Sequence, residues 1–316
     1  MSGPDIRRPL DAQAVGLMLL LCLIWSLQQI VLKATAPDFS PTLQLALRSG
    51  IAALLVWLYM RFKGERLNLQ TGVWRAGLLV GALFALEFVL LGQAVRLTTA
   101  GHVVVFLYSA PVFAALGLHL KLPAERLATL QWLGIALAFG GIAVAFLGDG
   151  GQGRLSSTLQ GDALALGAAL AWGLTTVAIR VSPLSGLPAT QTLFYQLVVG
   201  FVLLMAAAWA LDETVFRSSL PVWAALAFNA VIVCFFSFLV WFSLLRKYLA
   251  SRLGVFSFLT PILGVILGAW LLDEPVEPNF AIGTALVLAG IVLVSGYGLL
   301  LGWLQRLRRR VPARKI

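Results

Sequence analysis

The chain has 316 residues, 60% of them hydrophobic and 11% charged, with a formal net charge of +10 at pH 7. Ordinary soluble domains carry about 25% charged residues, so no water-soluble fold suits this balance. Apolar stretches of ~20 residues recur along the chain, each long enough to cross a hydrocarbon core of ~30 Å as a helix. The expected fold is an all-α polytopic membrane protein.

The first predicted span, 14–33, carries Cys22, Trp25 and Gln28. Its basic flank and the following Ala34-Thr35-Ala36 imitate a secretory leader. The apolar run exceeds a leader core, however, and has a counterpart later in the chain, so a permanent helix is expected. Span two, 43–61, contains Arg48, and span three, 73–95, contains Glu87. Glu87 lies about 14 residues, roughly 21 Å, from the inner end of its helix, and its depth overlaps that of Arg48. An ionisable group in lipid costs at least ~2.5 kcal/mol and marks a functional site by default. Three readings stay open: a neutral, hydrogen-bonded Glu87; a structural ion pair between Glu87 and Arg48; and a Glu87 that binds a proton or a substrate amine.

Span four, 100–119, holds His102, Tyr108, Pro111 and His119. Pro111 has no N–H and frees the carbonyl of Leu107, which a neighbouring helix or a cavity must satisfy in a membrane. It is either a fixed kink or a hinge. Neither histidine has Cys, His and carboxylate neighbours at metal-ligand spacing, and no metal or other cofactor is expected. Span five is 130–147, and the Gly-rich stretch 148–160 is the longest connection. Span six, 161–180, carries Trp172; span seven is 189–211; span eight, 221–243, carries Asn229 and Cys234. Span nine, 253–272, contains Pro261, a second kink or hinge, and the Gly264–Gly268 pair; span ten is 279–302. Both cysteines fall within spans and read as packed thiols.

Eight of the ten tryptophans fall near span ends, where amphipathic rings favour the headgroup level. Trp25 and Trp172 instead sit about halfway along their spans. An indole at that depth needs an N–H partner, which makes each a packing residue or a cavity wall. As cavity walls they would bind substrate, with Gln28, Tyr108, Asn229 and Glu87 adding orientation.

The basic residues set the topology. With a cytoplasmic N-terminus, eighteen of the 23 Lys and Arg lie on the inner side, four on the outer side, and Arg48 within a span. Such a bias places both termini in the cytoplasm. It also assigns the basic tail, 304–316, to anionic lipid headgroups rather than to nucleic acid.

The chain repeats itself. "LIWSLQQIVLKA" (23–34) matches "LAWGLTTVAIRV" (170–181), pairing Trp25 with Trp172. "LYSAPVFAALGLHLKLP" (107–123) matches "SFLTPILGVILGAWLLD" (257–273), pairing Pro111 with Pro261. "LGIALAFGGIAVAF" (133–146) matches "IGTALVLAGIVLVS" (282–295), pairing Gly134 with Gly283 and Gly141 with Gly290. Each half, 1–150 and 151–303, has five spans, and an odd number forces the second half to enter upside down. Ten transmembrane helices in two inverted five-helix repeats are the usual frame of a secondary transporter. No G-x-x-x-x-G-K-[ST] is present to couple transport to ATP hydrolysis.

Stretch 228–296 and its first-half counterpart "TTAGHVVVFLYSAPVFAALGLHLKLPAERLATLQWLGIALAFGGIAV" resemble the EamA-type members of the drug/metabolite transporter superfamily. The likeness covers nearly the whole chain, although the family's Gly-Glu loop reads "PAER" and "LDEP" here, without the glycine. The resemblance implies ten helices in two inverted halves and movement of small metabolites, often outward, with one branch exporting aromatic and other amino acids. The expectation is therefore a monomeric amino-acid exporter that works by alternating access and is not an enzyme. A membrane-embedded enzyme would need a nucleophile and base, a metal cluster or paired carboxylates. A receptor or structural protein would not need an inverted repeat.

Overall fold

A computed structural model describes residues 11–123, 126–147, 155–248 and 256–310. Glu125, the glutamate of the "PAER" stretch, and the side chains of the basic tail lie outside what is described. Among the described residues there is no β-strand, only an isolated bridge between Phe39 and Phe216. In chain order the helices are α1 (Ala12–Thr35), α2 (Pro41–Phe62), α3 (Thr71–Leu97), α4 (Ala100–Leu107), α5 (Ala110–Lys121), α6 (Thr129–Leu147) and α7 (Leu155–Arg180). They continue as α8 (Ala189–Ala210), α9 (Leu220–Ala227), a π-helical stretch (Phe228–Ser237), α10 (Phe238–Lys247), α11 (Leu259–Leu271) and α12 (Pro278–Arg310). Among the described residues seven helical segments are long and apolar enough to cross a membrane, and three further apolar helices are shorter. The chain is an integral membrane protein.

Local chemistry sets the helix starts. Asp11 caps α1 by accepting the Ala14 N–H at 2.8 Å, and Thr99 caps α4 by accepting the His102 N–H at 3.1 Å. Pro41, Pro111, Pro221 and Pro261 all fall within the first turns of helices, where the missing N–H costs no helical bond. Span four is two helices that break at Tyr108 and Ser109, and the Ser109 hydroxyl donates to the Phe106 carbonyl at 2.6 Å. Span nine likewise begins α11 after Phe258, with Pro261 in its first turn. The π-helical stretch within span eight has no counterpart in the hydrophobic periodicity.

Packing joins the first 150 residues to the remainder. The helix α1 lies on α11, α2 and α3 lie on α8, α3 on α7, and α6 on α12. The tightest seam is between α6 and α12: a Cβ on Gly141 would stand 2.6 Å from the Gly283 carbonyl, and one on Gly134 would stand 2.8 Å from that of Gly290. The pairing 134 with 290 and 141 with 283 makes the two helices antiparallel. The connections 36–40, 98–99, 211–219 and 272–277 share one end of the bundle, and 63–70 and 181–188 lie at the other. At the second end the α2–α3 connection is held to α8, with the Tyr195 hydroxyl donating to the Asn68 carbonyl at 2.7 Å and the Gln191 amide to that of Arg66 at 3.1 Å.

Candidate functional site

The two mid-helix tryptophans take different partners. The Trp25 indole donates to the Ser237 hydroxyl at 3.0 Å and meets Trp241 edge-on, with centroids 5.7 Å apart. Trp172 packs edge-on against Tyr108 at 5.6 Å. It forms part of the wall of a cavity of about 500 Å³, together with Pro111, Ala114, Leu118, Arg126 and Gln131. Trp25 is not among the residues that line that cavity. The half-buried Gln28 neither lines it nor joins the Trp25 contacts. Asn229, buried in the π-helical stretch, donates to the Ala225 carbonyl at 3.1 Å and leaves its Oδ1 unpartnered. Pro111 contributes to the cavity wall, whereas Pro261 is buried in α11.

This division makes different substitutions costly at the two positions. Trp25→Phe removes the bond to Ser237 and should cost about 1 kcal/mol of stability. Trp172→Phe keeps an aromatic edge for Tyr108 and should be near neutral. Thermal melting of the two variants in detergent checks this; equal shifts would contradict it.

Arg48 and Glu87 come together without touching. Arg48 is 1% exposed and Glu87 6%, on the adjacent helices α2 and α3, and each lies in the electrostatic reach of the other. The expected Glu87–Arg48 ion pair is not closed, because the guanidinium carbon sits over the Phe88 ring, 4.5 Å from its centroid. The Nε and Nη1 atoms of Arg48 have no hydrogen-bond partner.

A third feature escaped sequence reasoning. Both α8 and α11 end in a similar run, "WALDETV" (209–215) and "WLLDEPV" (270–276). In each the aspartate takes a left-handed backbone, φ 54° at Asp212 and 51° at Asp273, which turns the following glutamate back over the helix end. The Glu213 carboxylate accepts the Thr42 N–H at the start of α2 at 3.3 Å and the Gln93 amide at 2.8 Å, and pairs with Arg96. Glu274 accepts the Ala100 N–H at 2.7 Å and the Gly101 N–H at 3.2 Å at the start of α4. Each carboxylate satisfies helix donors that would otherwise be orphaned, and each complements the positive end of a helix dipole. At the same end Lys33 donates to the carbonyls of Val95 and Thr98, and His102 Nδ1 lies 2.8 Å from Asp162. The repeated Trp-x-Leu-Asp-Glu-x-Val was the available signal. The cavity beside Trp172 lies towards the opposite end, as does a smaller one of about 190 Å³ lined by Tyr59, Lys63, Glu65 and Thr190.

Comparison with known proteins gives a consistent result. The model of the EamA-like transporter family matches residues 12–147 and again 159–296. The chain is 24% identical over 280 residues to the uncharacterized transporter YoaV of Bacillus subtilis, covering 86% of this chain and 92% of that one. It is 26% identical over 288 residues to a probable amino-acid metabolite efflux pump of Escherichia coli, covering 88% and 93%. It is 31% identical over 267 residues to the uncharacterized protein PA1977 of Pseudomonas aeruginosa, covering 83% and 86%. One solved crystal structure superposes with a TM-score of 0.64 at 20% identity, over 96% of this chain and 99% of the other, a likeness of fold alone.

Proposed function

Because the chain belongs to the EamA-like transporter family, we propose that it exports amino acids, aromatic and hydrophobic ones included, by alternating access. The working unit is one chain with ten membrane-spanning helices in two inverted repeats, residues 1–150 and 151–303. The observation that carries this reading is the glycine seam. By sequence, Gly134 is the repeat mate of Gly283, and Gly141 of Gly290. In space Gly134 meets Gly290 and Gly141 meets Gly283. Such reciprocal contacts arise when like elements face each other across a two-fold axis. Two halves related in this way can rock about a shared central site and expose it to either side in turn.

The amino-acid cargo is supported by the names of the Escherichia coli and Salmonella typhimurium relatives, both probable amino-acid metabolite efflux pumps. It is supported too by the aromatic wall of Tyr108 and Trp172 beside the larger cavity. The asymmetry of basic residues supports cytoplasmic termini in an inner membrane, with the tail on anionic headgroups. In that orientation the Glu213 and Glu274 contacts close the external end, and the cavities lie towards the cytoplasm.

Uptake of labelled phenylalanine and leucine into vesicles reconstituted with the purified protein tests the activity, and a rate equal to that of empty vesicles would refute it. The topology has its own test. In a background lacking Cys22 and Cys234, Pro275→Cys should react with an impermeant maleimide in intact cells, and Gly64→Cys should react only after lysis. Labelling of Gly64→Cys in intact cells would invert the orientation.

A further inference from the structure

Buried polar groups in folded proteins are almost always hydrogen-bonded, and the exceptions call for an explanation. Here they gather. Gln29 Oε1, Gln44 Nε2, Arg48 Nε and Nη1, Asn229 Oδ1 and Thr260 Oγ1 are buried without partners on α1, α2, the π-helical stretch and α11, and Thr284 Oγ1 stands apart from them on α12. Counted at 1.5 Å per residue from the end that carries Glu213 and Glu274, they lie roughly 5 to 17 Å deep, and Glu87 lies at about 15 Å. Arg48 is the most demanding of them, since a guanidinium presents five donors in a fixed fork. A carboxylate at hydrogen-bond distance would satisfy that fork in bidentate fashion. Glu87 is near enough to feel the charge but makes no ion pair with it. The two groups sit on the adjacent helices α2 and α3, and no ion pair or hydrogen bond joins them.

An α-amino acid carries one carboxylate and one ammonium on the same carbon, and it must shed water from both to cross the hydrocarbon core. A site with one fixed cation and one fixed anion replaces both hydration shells and stays neutral overall. We propose that Arg48 and Glu87 form this site, with Arg48 taking the α-carboxylate of the cargo and Glu87 its α-ammonium. The proposal rests on the amino-acid reading above and names the groups that would recognise the shared part of every such cargo. In this arrangement the variable side chain extends towards Tyr108 and Trp172, which meet edge-on at 5.6 Å beside the cavity. The Phe88 ring holds the guanidinium in place when no cargo is bound.

The test measures binding to the full-length protein in detergent, using phenylalanine, phenylalaninamide, phenethylamine and 3-phenylpropanoate. Wild type should bind phenylalanine at least about tenfold more tightly than each analogue, because every analogue leaves one buried charge uncompensated. Arg48→Gln should abolish the preference over phenylalaninamide while keeping that over 3-phenylpropanoate, and Glu87→Gln should do the reverse. Arg48→Lys, which keeps the charge and loses the fork, should retain a reduced preference for the carboxylate, and it serves if Arg48→Gln does not fold. Equal binding of phenylalanine and its amide by wild type would overturn the Arg48 assignment and leave the amino-acid reading standing. Binding of 3-phenylpropanoate in preference to phenylalanine, lost in Arg48→Gln, would keep Arg48 as an anion site and overturn the amino-acid reading. Failure of any carboxylate to bind would overturn the assignment.

Discussion

Glu213→Ala is expected to raise the outward-open fraction of the transporter roughly tenfold or more. The carboxylate is 3% exposed and joins α8 to α2 and α3 through Thr42, Gln93 and Arg96. Those helices belong to opposite halves, so in the proposed alternating-access cycle the contacts part when this end of the bundle opens. Hydrogen bonds to a charged group are worth about 1.5–3 kcal/mol, and ~1.4 kcal/mol is already a tenfold change in an equilibrium. Gln29 lies on α1 below this clasp and is 3% exposed. A Gln29→Cys reporter, in the background without Cys22 and Cys234, should therefore react about tenfold faster with an external thiol reagent once Glu213 is removed. An unchanged rate would show that the clasp does not hold the closed state.

The same clasp has a defined pH dependence. Burial pushes the Glu213 carboxyl up, but the hydrogen bonds from Thr42 and Gln93 and the charge of Arg96 outweigh it and hold it below the usual 4.5. A group depressed in the folded state contributes its full stability above its unfolded value and loses it as pH falls through the folded one. The stability difference between wild type and Glu213→Gln should thus be constant near neutral pH, begin to shrink as pH approaches the usual 4.5 and be lost below the depressed folded value. A difference that already shrinks near neutral pH would contradict the assignment.

Gly290→Val should be the most damaging single change in the bundle, costing about 3 kcal/mol or more. A Cβ there would stand 2.6 Å from the Ala138 N and 2.8 Å from its Cβ, and closer still to the Gly134 carbonyl. These are largely backbone atoms of a facing helix, so no rotamer change relieves the clash, and α6 and α12 must separate. Gly140→Val is the matched control on the same face-to-face pair of helices, because nothing lies within 4 Å of its Cβ. Size-exclusion profiles and melting curves should show Gly290→Val aggregated or strongly destabilised, with Gly140→Val close to wild type. Similar behaviour of the two would mean that the seam is not tight.

Several described helices, α1, α2, α3, α6 and α8 among them, follow the apolar runs to within two residues, because each run must bury its backbone polar groups inside itself to sit in lipid. Arg48 and Glu87 stood out for the same reason, since a charge in an apolar run is conspicuous wherever it points. Their relation was not legible. Overlapping depth suggested an ion pair, and only the packing of α2 against α3 put Phe88 under the guanidinium and left the fork open. Trp25 and Trp172 were equivalent in sequence, yet their neighbours differ. Ser237 captures one indole, and Tyr108, set by the break between α4 and α5, receives the other.

Composition and hydrophobic runs by themselves determined that this chain is helical and built for a membrane, and the internal matches determined which glycines and tryptophans are mates. Those properties depend on spacing along the chain, which the sequence states directly. The clasps of Glu213 and Glu274, the pairing of His102 with Asp162 and the open arrangement of Arg48 with Glu87 were decided by tertiary structure alone. Each joins residues far apart in the chain, at least 39 positions for the nearest pair. Which side chains meet at such separations depends on how whole helices rotate and slide against one another, and no local pattern records that.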